Sequence, residues 1–340
     1  MEIKNILTLK VRDSSHVYEA RSLTSVAAKA IGFNETDIGR ISIIVTEMVT
    51  NLIKHSNLKD STFIAQRAIV KGSVVMELIS IDKGPGINSI PESMRDGFST
   101  AGSSGSGLGS ISRMSDSFDI YSQKETGTVI LSRIFADKVM TEKGRTKFNL
   151  GAFCIPKPGE EANGDKWSYI EHSDRFLILT ADGLGHGIDA AKASGEAVLG
   201  FEDNSNLPID EIMHLLHLRL RPTRGAAVAL TEIIPSKKIV RFCSIGNISG
   251  SILTDSSIKN MISYNGIVGH ENRKIHVNEY PWPDGAVLLL YSDGIVSRWS
   301  LDKYPGLLRK QLPVVAAVFY RDFQRGNDDL SVILARSDES

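Results

Sequence analysis

The sequence lacks any apolar run approaching the roughly 20 residues that a helix needs to cross a bilayer, although 41% of its 340 residues are hydrophobic. The apolar content therefore goes into packed cores, and no membrane partner is expected. Cysteine is scarce: there are two, Cys154 and Cys243. Two thiols so far apart in sequence fit a reduced, cytoplasmic protein, in which both are small core residues, better than a disulfide framework or a zinc site. Neither sign of charge is in excess, since 39 basic and 40 acidic residues leave a net charge of −1. That removes the basic field a nucleic-acid binder would need, and also an acidic tail. The first residues, MEIKNILTLKVRDSS, show no signal-peptide pattern and read as a strand. No internal repeat relates one half to the other.

What is present is long enough for two domains. The first half alternates element types: a strand over 3–11, helices over 15–31 and 36–55, strands over 62–70 and 73–81, a helix over 107–115, and strands over 117–122 and 127–135. In the second helix Ile38, Ile41, Val45, Met48 and Leu52 recur at helical spacing. Together these elements predict an α+β domain, a sheet with helices on one face, over residues 1–136. The charged segment DKVMTEKGRTK, 137–147, is the expected linker. Beyond it, 148–340 holds many short β-rich runs broken by helical windows at 188–200 and 209–220, which predicts two sheets with covering helices.

Four clusters in the first half carry chemistry. Glu47, Asn51 and His55 are spaced i, i+4, i+8 and line one stripe of the 36–55 helix. A carboxamide there can ligate a hard cation, and a carboxylate can take a proton from an attacking hydroxyl. In SIDKGPGI a strand ends at Asp82, and Gly84 and Gly86 allow a tight turn. In GFSTAGSSGSGLGS, 97–110, ten of fourteen residues are glycine or serine. The composition is that of a linker. Yet Gly102, Gly105, Gly107 and Gly109 lead into a helix, where backbone N–H groups can meet an anion. Thr128 opens a strand from which it can reach a ligand.

In this order and spacing the clusters resemble the GHKL (Bergerat) ATP-binding fold, and within it the small serine kinases that regulate bacterial anti-sigma antagonists, particularly the stressosome switch kinase. The resemblance covers roughly residues 1–135. It implies that ATP and Mg2+ bind here. Asn51 would coordinate the magnesium and Glu47 would activate the substrate serine. Asp82 and Thr128 would contact adenine, with Gly84 and Gly86 in the same turn. Gly102, Gly105, Gly107, Leu108 and Gly109 would form a lid over the phosphates. No dimerisation helices with a phosphoacceptor histidine accompany the fold, as a histidine kinase would require.

The second half places acidic residues beside glycines at strand ends: NGD at 163–165, ADGLGHG at 181–187, YSDGI at 291–295 and NDDLSVIL at 327–334. Carboxylates that converge need a cation, and oxygen ligands suit magnesium or manganese. These motifs, with TRGAAVAL and SIGNISG, resemble the type-2C metal-dependent serine/threonine phosphatases in their SpoIIE-like branch, over roughly 144–340. The resemblance implies an α-β-β-α sandwich with two Mn2+ or Mg2+ ions. Asp165 and Asp182 would bridge them, Gly183 would give its carbonyl, and Asp293 and Asp328 would complete one site. Asp328 is preferred to Asp329 because the family's last motif begins with the ligand. The basic residue that many relatives use for phosphate is missing, and Arg224 and His186 are the alternatives for it.

Both resemblances together imply a two-activity regulator of bacterial partner switching. It would phosphorylate a STAS-domain anti-sigma antagonist or stressosome scaffold and hydrolyse phosphoserine. The alternative is a phosphatase alone, with the first domain a nucleotide-dependent module that binds a sigma factor or antagonist.

Overall fold

The computed structural model describes residues 6–56, 60–95, 107–140, 147–270 and 274–338. By its contacts the chain divides into two units, Met1–Lys147 with Arg309–Arg321, and Phe148–Leu308 with Asp322–Ser340.

Unit 1 begins with β1 (Ile6–Lys10), α1 (Ser15–Ile31) and α2 (Glu35–His55). Helix α1 stops at Gly32, whose positive φ of 102° closes the last turn. Helix α2 starts where the Asn34 side chain accepts the N–H of Asp37 at 2.8 Å. Its buried stripe holds Ile41, Ile44, Val45, Met48, Val49 and Leu52, as its periodicity predicts. Strands β2 (Thr62–Val70), β3 (Ser73–Ile81), β4 (Ser117–Gln123) and β5 (Gly127–Met140) join β1 in one antiparallel sheet of order β1-β2-β3-β5-β4. Two further helices, α3 (Ile90–Ser93) and α4 (Gly107–Met114), lie between β3 and β4 in the chain. The α+β class is therefore observed. The expected linker begins inside β5, because that strand continues past an irregularity to pair Met140 with Ser73. Charge made this segment read as a connection, and strand pairing overrode it. Residues 141–146 of the expected linker lie outside the described residues.

Alternation along β3 sends Val74, Met76 and Leu78 into the core shared with α1, α2 and α4. Val75, Glu77 and Ile79 point to the other face and are equally buried. That face is met by a helix the sequence reading did not foresee, α7 (Leu312–Phe323), whose residues to Arg321 belong to unit 1. Just before it, Gln311 accepts a hydrogen bond from Arg133 Nη1 at 2.8 Å, and its own N–H donates to Asp119 at 2.8 Å. At the far end of α7 the Tyr320 ring lies 5.4 Å from Lys10 Nζ, on β1. Arg133 also donates to Glu77 from Nε at 2.7 Å, and Gln66 donates to the other oxygen of Glu77 at 2.8 Å. The buried ion pair thus has Gln66 as a further partner on Glu77 and Gln311 on Arg133.

Unit 2 has two five-stranded antiparallel sheets. One holds β7 (Asp165–Glu171), β8 (Phe176–Gly183), β9 (Ala226–Ile234), β10 (Ile239–Ile245) and β13 (Asn278–Pro281) in the order β13-β10-β9-β8-β7. The other holds β6 (Phe148–Ile155), β11 (Ser249–Leu253), β12 (Ile258–Met261), β14 (Val287–Tyr291) and β15 (Leu330–Ser337) in the order β12-β11-β14-β15-β6. Phe176, Ile178 and Phe242 of the first meet Ile252, Leu288, Leu290 and Ile333 of the second in a core between the sheets. Helices α5 (Ile188–Asp203) and α6 (Ile209–Leu220) bury Phe201, Ile212 and Leu216 against the outer face of the first sheet. No helix among the described residues is long and apolar enough to cross a membrane.

Candidate active sites

In unit 1, helix α2 is the floor of the site. Its stripe presents Glu47 and Asn51, both half-buried. Gly107, the first residue of α4, sits directly over them: a Cβ there would lie 3.2 Å from Glu47 Oε2 and 3.4 Å from Asn51 Oδ1. Glycine at that point keeps the stripe open. The turn after β3 packs on the end of the same helix. A Cβ on Gly84 would come within 2.8 Å of Ser56 Cα. Asp82 Oδ1 accepts the Gly84 N–H at 2.7 Å and the Thr128 N–H at 3.2 Å, while the Asp82 N–H donates to Thr128 O at 2.9 Å. Gly86 takes φ 74°, and a side chain there would overlap Gln123 O, 2.1 Å away.

Burial raises the Asp82 carboxyl above its ordinary value, against its two backbone hydrogen bonds and the charges of Arg321 and His55. Thr128 Oγ1 is bound to Ser122 Oγ at 2.8 Å, and Ser122 in turn accepts the Ile87 N–H. The expected residues Glu47 and Asn51 of α2 and Gly107 of α4 are thus brought together. Asp82, Gly84, Gly86 and Thr128 are brought together at the ends of β3 and β5. Leu108 and Gly109 are buried in α4, and Gly102 and Gly105 lie outside the described residues. Ser122, which orders both Thr128 and the Gly86 turn, was missed, because a strand serine carries no sequence signal of its own. His55 is exposed as a residue, but partial desolvation of its ring, and then the charge of Lys54, lower its pKa against the pull of Asp82.

In unit 2, β7 and β8 pair Asp165 with Asp182 directly across the sheet. Asp165 is buried, and its Oδ2 accepts the Ser292 hydroxyl at 2.6 Å. Burial first, then the charge of Asp182, pushes the Asp165 carboxyl well above its ordinary value. Asp182 is pushed up to about 7 by burial and then by the charges of Asp293, Asp328 and Asp329, against a hydrogen bond from Asn247. Asn247 also donates to Asp293 at 2.7 Å. The two aspartates of the last motif differ. Asp329 is buried and accepts the N–H groups of Lys157 at 2.8 Å and Gly164 at 3.1 Å, one on each carboxylate oxygen. Asp328 is exposed, so its carboxylate is the more available of the two. Gly183 N–H donates to Gly164 O at 3.0 Å, and a Cβ on Gly183 would overlap Ala190 O. Strand end, turn and helix start are therefore locked together.

Among the described residues, no three His, Cys, Asp or Glu side chains close on one point tightly enough to hold an ion. The chemistry of the donors still fits one. They are all oxygens, and two carboxyls are raised by burial and then by neighbouring negative charge, which a divalent cation would offset. Asn247 and Ser292 are the residues sequence reasoning passed over. Asn247 lay inside a noted motif without a role, and Ser292 immediately precedes Asp293. Cys154, expected as a plain core residue, is half-buried and donates its thiol to Asp165 O at 3.0 Å. Cys243 is buried, with its thiol pushed up to about 12 by burial.

Residues 11–134 match the family described as histidine kinase-like ATPase domain, and residues 172–338 match Stage II sporulation protein E (SpoIIE). The serine/threonine-protein kinase RsbT of Bacillus subtilis (strain 168) is 36% identical over 114 residues, 34% of this chain and 84% of RsbT. A solved chain of the bacterial stressosome, described as a modular system adapted to control secondary messenger signaling, is 28% identical. It aligns with a TM-score of 0.52 over 56% of this chain and 100% of its own length. RsbX, solved in complex with magnesium, shares 19% identity and a TM-score of 0.50 over 56% of this chain and 95% of its own. At that identity the likeness is one of fold.

Proposed function

Because the chain belongs to the RsbT family of serine/threonine-protein kinases over its first domain and carries a SpoIIE domain behind it, we propose that it both adds phosphate to and removes phosphate from serine on a partner-switching protein. The partner class is a STAS-domain antagonist or stressosome scaffold, in line with the stressosome likeness. The observation that carries the kinase half is Glu47 beside Asn51 under Gly107. A module that only bound nucleotide would need no carboxylate there. Glu47 takes the proton of the substrate hydroxyl as the serine oxygen forms its bond to the γ-phosphorus and the bond to ADP breaks. Asn51 holds Mg2+, and Asp82, with its Oδ1 fixed by Gly84 and Thr128, receives the adenine amino group. Gly107, at the start of α4 beside Glu47 and Asn51, is placed to meet the phosphates.

For the phosphatase half, Asp165, Asp182, Asp293, Asp328 and the Gly183 carbonyl would hold divalent ions. When bound, these ions supply the positive charge that stabilises phosphate in the transition state. The remaining work belongs to the chain. Ser292 and Asn247 orient Asp165, Asp182 and Asp293, and Asp329 ties the 157–164 segment to β15.

The test offers the full chain a STAS-domain protein with magnesium and labelled ATP, and separately the phosphorylated STAS protein with manganese. Label incorporation in the first and phosphate release in the second are expected. Release without incorporation would reduce the first domain to a binding module.

A further inference from the structure

A phosphatase that gathers carboxylates still has to attract a phosphate dianion, and the acidic cluster offers it no cation. Strand register shows where one stands. Strands β8 and β9 pair Asp182 with Ala227 and Gly183 with Ala226. The next hydrogen bond runs from Leu184 N–H to Gly225 O at 3.0 Å, which sets Arg224 opposite Gly185. Arg224 Nη1 lies 3.3 Å from the point a Cβ on Gly185 would occupy. Gly185 is three residues past Asp182, at most about 10 Å along the chain, so the guanidinium stands over the loop that leaves the acidic strand end. Its turn is held in place: Thr223 Oγ1 donates to Leu220 O at 2.7 Å and accepts the Gly225 N–H at 2.9 Å.

The guanidinium is engaged at Nη2 by Asp189 at 2.7 Å, in a pair whose side chains are 52% and 59% exposed. So exposed an ion pair is weak, and a dianion displaces it readily. A guanidinium fork matches phosphate geometry and keeps its charge at any physiological pH. The other cation on this loop, His186, has Nδ1 bound to Glu160 at 2.7 Å, and an imidazole carries charge only when protonated. Two large apolar side chains flank the same loop in the open, Leu184 at 48% and Ile188 at 81% exposed. They offer contact to a polypeptide that a small phosphate ester cannot use.

We propose that Arg224 binds the phosphate of the substrate, and that Leu184 and Ile188 beside it receive apolar residues flanking the phosphoserine of a protein substrate. The proposal rests on the phosphatase reading. The experiment measures manganese-dependent hydrolysis by the full chain of p-nitrophenyl phosphate and of a phosphoserine peptide with apolar flanks. Arg224→Ala raises KM about 10- to 100-fold for both substrates, the loss of one charge-assisted contact, with kcat much less affected. Arg224→Lys recovers part of this. Ile188→Ser raises KM for the peptide alone. Asp189→Asn, which removes the competing carboxylate, lowers KM and keeps the proposal testable if Arg224→Ala does not fold. Unchanged KM in Arg224→Ala or Asp189→Asn overturns the assignment of Arg224, and equal effects of Ile188→Ser on both substrates overturn the protein contact. A wild-type chain inactive on both substrates would instead remove the phosphatase reading itself.

Discussion

Asp328 and Asp329 are adjacent carboxylates with opposite surroundings. Asp329 is buried with both oxygens occupied by backbone N–H groups. Its replacement by alanine leaves the buried Gly164 N–H and the half-buried Lys157 N–H unpaired and is expected to cost about 2–4 kcal/mol. Asp328→Ala should leave stability within about 0.5 kcal/mol while weakening manganese binding. Urea denaturation and a manganese titration separate the two. Asp82 gives a second contrast. Burial raises its folded-state value, so its favourable contribution to stability is fully present at low pH and is lost as pH rises through that value. At neutral pH the ionised group is therefore a cost. Asp82→Asn, which keeps an acceptor for Gly84 and Thr128, should melt at the same or a higher temperature at pH 7. The gain should shrink below the ordinary carboxylate range, and ATP binding should be lost at every pH. Calorimetry and thermal melts read both. The sequence made Glu47, Asn51, Asp82 and Asp182 legible because helix spacing and glycine-flanked strand ends announce them. It could not show Ser122, Asn247 or Ser292, since a serine or asparagine becomes part of a site only through a tertiary hydrogen bond.

At the scale of elements, α1, α2, β2 and β3 were legible from periodicity and from the turn residues between them. Helix α7 was not. In LPVVAAVFYRDF the first ten residues are all buried, so no polar face marks a helical period, and an apolar run of this length also fits a strand. Its placement rests on Gln311, which joins Arg133 and Asp119. Gln311→Ala removes a partner from the buried Arg133–Glu77 pair and should cost about 1–3 kcal/mol by urea denaturation. The reading of 97–110 as a lid rather than a linker belongs to this scale too. Gly107, the first described residue of that stretch, is helical and lies over Glu47 and Asn51.

At the scale of the molecule, two activities of opposite direction in one chain would consume ATP without result unless something restrains one of them. The division of the chain is not a single cut, because residues 309–321, which follow most of the phosphatase sequence, belong to the kinase-like unit. Local sequence pattern carries no record of such long-range placement. A fragment ending at Lys147 lacks them, and is expected to bind a hydrophobic dye through the β3 face of Val75 and Ile79 where the full chain does not. The central claim is that one chain holds a working kinase site on α2 and a working phosphatase site at the ends of β7 and β8. It is tested most directly by assaying both reactions on one STAS-domain protein with full-length Glu47→Ala and Asp182→Ala. Glu47→Ala should abolish phosphate incorporation and keep release, and Asp182→Ala should do the reverse. Incorporation that survives Glu47→Ala, or release that survives Asp182→Ala, would contradict it.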